Sequence, residues 1–268
     1  MPLPRVAPKK NTPAARKTPP MRPLPGLRLR TIPPTTPLMP IRAILFDAAG
    51  TLIHLPRGVG WHYREVAARH GLDIEESRLA TAFAAAFKAA SPRVSPGAAR
   101  DPRISHPADD KLWWRALVRQ VLASCGHQPP PSIYDPLFEE LYAHFAQPGV
   151  WALYPEVPAV LATLHPRYQL GIVSNFDRRL YPILENLGIR HYFQAIVISS
   201  ELGLDKPDPR LFQAALDALG VLPSETLHAG DDPVQDWQAA ESAGLHPFHV
   251  HRPIQTLESL PDYALSLP

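Results

Sequence analysis

Residues 41–51, Ile41-Arg42-Ala43-Ile44-Leu45-Phe46-Asp47-Ala48-Ala49-Gly50-Thr51, decide the fold. A short apolar run that gives way to Gly-Thr is the pattern of a buried strand ending in a loop. Asp47 stands at that strand end, where a carboxylate is a candidate nucleophile. Four more apolar runs follow, Gln169 to Ser174, Ala195 to Ile198, Thr226 to Ala229 and His246 to Val250. Helical patterns alternate with them, which predicts an α/β fold: a doubly wound parallel sheet, Rossmann-like, with helices on both faces.

Boundary residues support the helices. In Asp208-Pro209-Arg210-Leu211-Phe212 the aspartate can cap, the proline fits the first helical position, and Gly220 closes the segment. Asp232-Pro233 repeats the pattern up to Gly244, and Asp177 is expected to open a helix carrying Leu180, Ile183, Leu184 and Leu187 on one face. Between the first two strands, about a hundred residues show only helical periodicity. The helices expected there are Gly60 to His70, Glu75 to Ala90, Asp109 to Ser124 and Ser132 to Phe145, the last with Ile133, Leu137, Leu141 and Phe145 facing inward. Four helices inserted directly after the Asp47 loop form an α-helical cap. Ser91 to Pro107, with its prolines and glycine, reads as a connector. The expected organisation is a tail over 1–40, a core from 41–55 and 151–268, and a helical cap over 56–150.

The formal charge of +2 averages two unlike regions. Residues 1–40 hold eight Lys or Arg, no acid and 12 of the 34 prolines, a composition that buries no face and reads as a disordered, polyproline-like tail. Met1, Met21 and Met39 all lie there, so an extension upstream of the native start is one reading of the tail and a basic docking arm another. The remaining 228 residues carry 19 basic and 25 acidic side chains, a net of −6 that gives no argument for nucleic acid. No apolar stretch approaches the ~20 residues of a bilayer span, and no secretory apolar core is visible at the N-terminus. A soluble cytoplasmic protein without a membrane partner is expected. Cys125, the single cysteine, reads as a buried structural thiol.

Four loops carry candidate chemistry, each after an apolar run: Asp47-Ala48-Ala49-Gly50-Thr51, Val173-Ser174-Asn175, Lys206-Pro207-Asp208, and Gly230-Asp231-Asp232 with Asp236. Ligands of open parallel sheets gather beyond the carboxyl ends of the strands, so these distant positions can converge. In this order and spacing the loops resemble the haloacid dehalogenase-like hydrolase superfamily, in the subgroup with a helical cap after the first motif. Ser174-Asn175-Phe176-Asp177-Arg178-Arg179-Leu180 with Lys206-Pro207-Asp208-Pro209 is most similar to the branch named for haloacid dehalogenase-like hydrolase domain-containing protein 3.

The resemblance implies a phosphatase acting on a small phosphorylated metabolite. Asp47 would attack phosphorus to form an aspartyl-phosphate. Mg²⁺ would be held by Asp47, the Ala49 carbonyl and Asp231, with Asp236 ordering a metal-bound water. Lys206 would steady the phosphoryl oxygens, with Ser174 and Asn175 donating hydrogen bonds. The departure is Ala49, which stands where such enzymes usually keep a second aspartate as acid and base. Its loss removes a contribution of typically ~10²- to 10⁴-fold; His54, His62 and His106 are the substitute donors in reach of sequence reasoning.

Three other readings compete. A 2-haloacid dehalogenase also lacks that aspartate but uses no metal, whereas three convergent acids call for a cation. Phosphonoacetaldehyde hydrolases share Asp-x-Ala-Gly-Thr and need a cap lysine for an imine, for which Lys88 is the candidate. The third is a binding or scaffold protein that kept the fold and lost the activity.

Overall fold

The computed structural model describes residues 40–90 and 107–267. The expected tail, the connector from Ser91 and His106 lie outside them. The chain begins with β1 (Ala43–Phe46) and β2 (Ile53–His54), then runs through α1 (Gly58–Arg69), α2 (Glu76–Ala89), α3 (Pro107–Ser124) and α4 (Pro131–His144). It returns through β3 (Ala152–Leu153), α5 (Val157–Leu164), β4 (Gln169–Ser174), α6 (Leu180–Asn186), β5 (Ala195–Ile198) and α7 (Ser199–Leu202). α8 (Pro209–Leu219), β6 (Thr226–Gly230), α9 (Ala239–Ser242), β7 (His246–His249) and α10 (Leu260–Ser266) complete it.

Five strands pair in parallel in the order β5-β4-β1-β6-β7. β1 is central, and the direction of winding reverses between it and β6, so the loops after these two strands open the crevice where such sheets bind ligands. Every residue of β1 is buried because both faces of the sheet are covered. Ile44 and Phe46 join Leu170, Ile172 and Leu227 on one side, whereas Ala43 and Leu45 join Leu211, Phe212 and Leu216 on the other. The period-two alternation of side chains thus serves two cores at once, which is why the run reads as continuously apolar.

The short strands β2 and β3 pair antiparallel, Ile53 opposite Leu153 and His54 opposite Ala152, where the chain leaves and re-enters the sheet layer. Between them α1–α4 enclose a core of their own, with Tyr63, Val66, Leu79, Val121, Tyr134 and Phe138 among its members. Cys125 is buried there, and burial pushes its thiol pKa up. No described helix is long and apolar enough to cross a membrane.

Two local expectations need correction. Ile133 is exposed, and α4 turns Tyr134 and Phe138 inward beside Leu137 and Leu141. α6 runs from Leu180 with Asp177 at its entry: Asp177 Oδ1 accepts from Arg179 N at 3.0 Å and its carbonyl from Leu180 N at 2.9 Å, while Oδ2 also takes the Trp114 indole N–H at 2.9 Å. Asp232 does cap, accepting from Val234 N and Gln235 N, but the turn that follows, Pro233–Gln238, is π-helical before α9 resumes normal winding. A π turn adds a residue to one helical loop, a distortion found mostly at functional sites; this one turns the Asp236 carboxylate back onto the Asp232 N–H at 3.0 Å.

His62 of α1 is buried, its Nδ1 lying 2.9 Å from Nε2 of His144 in α4, with the rings of Trp61 and Phe145 against it. Burial, aided by His144 and Arg57, pushes its pKa down to about 4. Folding therefore holds His62 neutral at pH values where the unfolded chain would protonate it, so stability falls as pH drops from about 6.5 toward 4. Melting temperature measured across this window should decline more steeply for the wild type than for His62→Gln; parallel curves would refute the assignment.

Candidate active site

Asp47 follows β1 directly and is only 7% exposed. Lys206, which precedes α8, reaches it across the sheet edge: its Nζ donates to Asp47 Oδ1 at 2.7 Å and to Asp236 Oδ1 at 2.5 Å. Asp236 also meets His228 Nε2, 3.0 Å from the same oxygen. Asp231, one residue past β6, accepts from Thr51 Oγ1 at 3.1 Å. One carboxylate oxygen from each of Asp47, Asp231 and Asp236 lies within 4.8 Å of the other two. The residues singled out in the first, third and fourth motifs thus converge.

Two glycines make this packing possible. At Gly50, where φ is +94°, an added Cβ would lie 2.4 Å from Asp231 Oδ2. At Gly230 it would lie 2.2 Å from Asp236 Cγ. Any larger residue would push an acid out of the cluster, and at Gly50 the backbone itself also disfavours a side chain.

The second motif is placed differently. Ser174 is the buried last residue of β4, next to β1. Asn175 brackets the Lys206 backbone: its Oδ1 accepts from Lys206 N at 2.7 Å, and its Nδ2 donates to Lys206 O at 3.1 Å and to Gln235 Oε1 at 2.8 Å. Both side-chain amide hydrogens are committed, so the Asn175 side chain braces the lysine loop. Ala49 is exposed beside Asp47 and lines a cavity toward the helical insertion.

Electrostatics divide the acids. Burial raises the Asp47 pKa, with Lys206 opposing and Asp236 adding to the rise. Burial resists ionisation of Asp236 too, but His228 and Lys206 outweigh it and hold that carboxyl well below the usual range. Lys206, which burial alone would discharge, is held above its ordinary value by the two carboxylates. Asp231 reaches solvent, yet desolvation by its protein neighbours and the adjacent Asp47 charge push it up to about 6.

Sequence reasoning missed three supporting residues. His228 sits inside the wholly buried strand β6, and a histidine in such a run was the available signal. Arg252, after β7, donates from Nη2 to Thr51 O at 2.9 Å and from Nε to Gly50 O at 3.3 Å, pairs with Glu156 at 2.6 Å and lies 3.4 Å over the Tyr154 ring. It clamps the Asp47 loop from about two hundred residues away, and neither spacing nor composition announces that. Gln235 supports Asn175 from the π-helical turn. Among the expected substitute donors, His54 stacks on Tyr154, and His62 is paired with His144. Lys88 is exposed on α2.

A parallel α/β sheet with a buried Asp-Lys-Asp constellation at its switch point and a helical insertion after its first strand is the architecture of a class of α/β hydrolases. Residues 41–244 match the family model described as haloacid dehalogenase-like hydrolase, and the chain belongs to that family. It is 35% identical over 214 residues to haloacid dehalogenase-like hydrolase domain-containing protein 3 of Bos taurus, covering 80% of this chain and 83% of the relative. Among solved structures, the defluorinating L-2-haloacid dehalogenase Rha0230 superposes with a TM-score of 0.67 at 23% identity, covering 85% of this chain and 95% of the other. Magnesium-bound YfnB from Bacillus subtilis superposes with 0.64 at 16% identity, over 85% and 100%. At those identities the two structures speak for the fold alone.

Removing one partner of a buried ion pair costs about 3–5 kcal/mol, because the charge left behind is uncompensated. Lys206→Met should therefore lower unfolding free energy by about that much in urea titration, and an unchanged midpoint would contradict the bridging geometry.

Proposed function

We propose that this chain is a Mg²⁺-dependent phosphatase in which Asp47 is the nucleophile toward a small phosphorylated metabolite. The observation that carries the reading is the cluster of Asp47, Asp231 and Asp236, with Lys206 Nζ bridging the first and the last. Its donor atoms are all carboxylate oxygens, the hard ligands Mg²⁺ prefers. One ammonium group against three ionised carboxylates leaves two negative charges, which one divalent ion balances. After desolvation, the Asp47 charge is what raises the Asp231 pKa, and close like charges favour a counter-ion. Asp47, the Ala49 main-chain oxygen and Asp231 would hold the ion, with Asp236 acting through water.

Mg²⁺ there supplies charge neutralisation for the phosphoryl oxygens. Every other contribution comes from the chain. Asp47 presents a carboxylate oxygen to phosphorus from a fixed strand end. Lys206, braced by Asn175, offers a cation to the transferring group while restraining Asp47. Ser174, at the end of the neighbouring strand, would donate a hydrogen bond to the phosphoryl group. Ala49 offers no proton to the leaving oxygen, so the reaction favours groups that depart readily as anions.

The test is hydrolysis of acetyl phosphate and 4-nitrophenyl phosphate with Mg²⁺ or EDTA. Turnover should require metal and fall at least ~10³-fold in Asp47→Asn, because covalent catalysis loses its nucleophile. Ala49→Asp should raise hydrolysis of alkyl phosphates by up to ~10²-fold if leaving-group protonation limits them. Metal-independent chloride release from 2-chloropropionate would establish a dehalogenase instead. Mg²⁺ binding without turnover on any phosphate ester would favour the scaffold reading.

A further inference from the structure

A cavity of about 240 Å³ lies between the sheet edge and the helical insertion, and Ala49 and Asn175 form its floor beside Asp47 and Lys206. Its walls are aromatic: Phe83, Phe87, Trp114 and Phe145 come from the insertion side, Trp151 and Phe176 from the sheet side. Phe83 and Phe87 stack with ring centroids 5.5 Å apart, and Trp151 meets Phe176 edge-on at 5.8 Å. For comparison of scale, an apolar cavity of about 150 Å³ accepts benzene.

Charge inside this space is already spent. Among the described residues that line it, Arg179 is the one cation and Asp177 the one acid. They pair with each other at 2.6 Å, while Arg179 Nη1 donates to Tyr142 O at 3.2 Å and the guanidinium lies 3.9 Å over the Tyr142 ring. A leaving group bearing its own carboxylate or second phosphate would enter an aromatic enclosure whose cation is neutralised. Such burial is costly.

The missing acid narrows the choice further. Ala49, two residues past Asp47, lines the cavity with a methyl group that has no proton to give, and no described histidine lines it. An alkanol ionises near the ~15.7 of bulk water, whereas a phenol does so near ~10, as tyrosine does. The latter can leave unassisted.

We infer that this cavity receives the leaving group and that the group is a ring-bearing phenol, making aryl phosphate monoesters the substrate class. The inference rests on the phosphatase reading above. In the first step an Asp47 oxygen bonds to phosphorus while the P–O(aryl) bond breaks, its electron pair departing on the phenolate oxygen, which takes a proton from solvent. In the second step water attacks phosphorus, the P–O(Asp47) bond breaks, and inorganic phosphate leaves with the proton passing to solvent. No oxidant or further reactant is required.

Phenyl phosphate and cyclohexyl phosphate match in size and differ in leaving ability, while acetyl phosphate leaves easily but fills no aromatic cavity. The wild type with Mg²⁺ should show kcat/KM at least ~10²-fold higher for phenyl than for cyclohexyl phosphate, and KM at least ~5-fold lower for phenyl than for acetyl phosphate. Phenylphosphonate should bind Asp47→Asn at least ~10-fold tighter than methylphosphonate by calorimetry, a readout independent of turnover. Phe87→Ala, at a position 46% exposed and so tolerant of truncation, should lower the phenyl-to-acetyl kcat/KM ratio about five- to tenfold. Acetyl phosphate hydrolysis with no preference for phenyl, or equal binding of the two phosphonates, overturns the aryl assignment and leaves the phosphatase standing. Absence of turnover on every ester overturns both.

Discussion

One ammonium group holds the site together. Lys206 Nζ lies between Asp47 and Asp236, all three are buried, and its charge offsets the cost of ionising both carboxylates there, aided at Asp236 by His228. The demand for that cation propagates outward. Asn175 fixes the lysine backbone, Gln235 fixes Asn175, and the π-helical turn that carries Gln235 also carries Asp236. His228 anchors Asp236 from inside the sheet. The loops after β1, β4 and β6 and the segment before α8 are therefore tied through one charge centre, and the parallel sheet is what brings their starting points to one edge.

The sheet and the converging loops were legible because their signals are periodic or local. Five apolar runs with loop chemistry at their ends can hardly be arranged otherwise than as a parallel sheet whose loops meet at one edge, and Asp208-Pro209 and Asp232-Pro233 carry their caps within two residues. What escaped depended on tertiary context. Whether Asn175 faces a substrate or the Lys206 backbone is decided by a loop thirty-one positions away, and Arg252 reaches Gly50 and Thr51 from across the chain. In α4 the expected Leu137 and Leu141 are buried, and the inward face extends to Tyr134 and Phe138 while Ile133, at the helix start, is exposed. Asp177 does serve the turn into α6, and what no local reading announced is the second demand on its carboxylate, from Trp114 of another element.

Insertion and sheet layer meet through aromatic and cationic contacts rather than through backbone pairing alone. Trp114 of α3 donates to Asp177, and the Arg179 guanidinium lies over Tyr142 of α4. The apolar cavity opens beside these contacts, so the same side chains that seat the helices also shape the space above Ala49. A substitution in this cluster acts on closure and on the cavity together, which couples affinity for an apolar group to the position of the helices.

The antiparallel pairing of β2 with β3 gives the molecule a seam. Outgoing and returning chain cross it side by side, two residues each, so everything between them is covalently joined to the sheet layer at one place. Helices could be lengthened, exchanged or deleted there without altering the register of any strand in the main sheet. Diversification of what this scaffold recognises can therefore proceed by grafting, while the charge centre beneath is inherited unchanged.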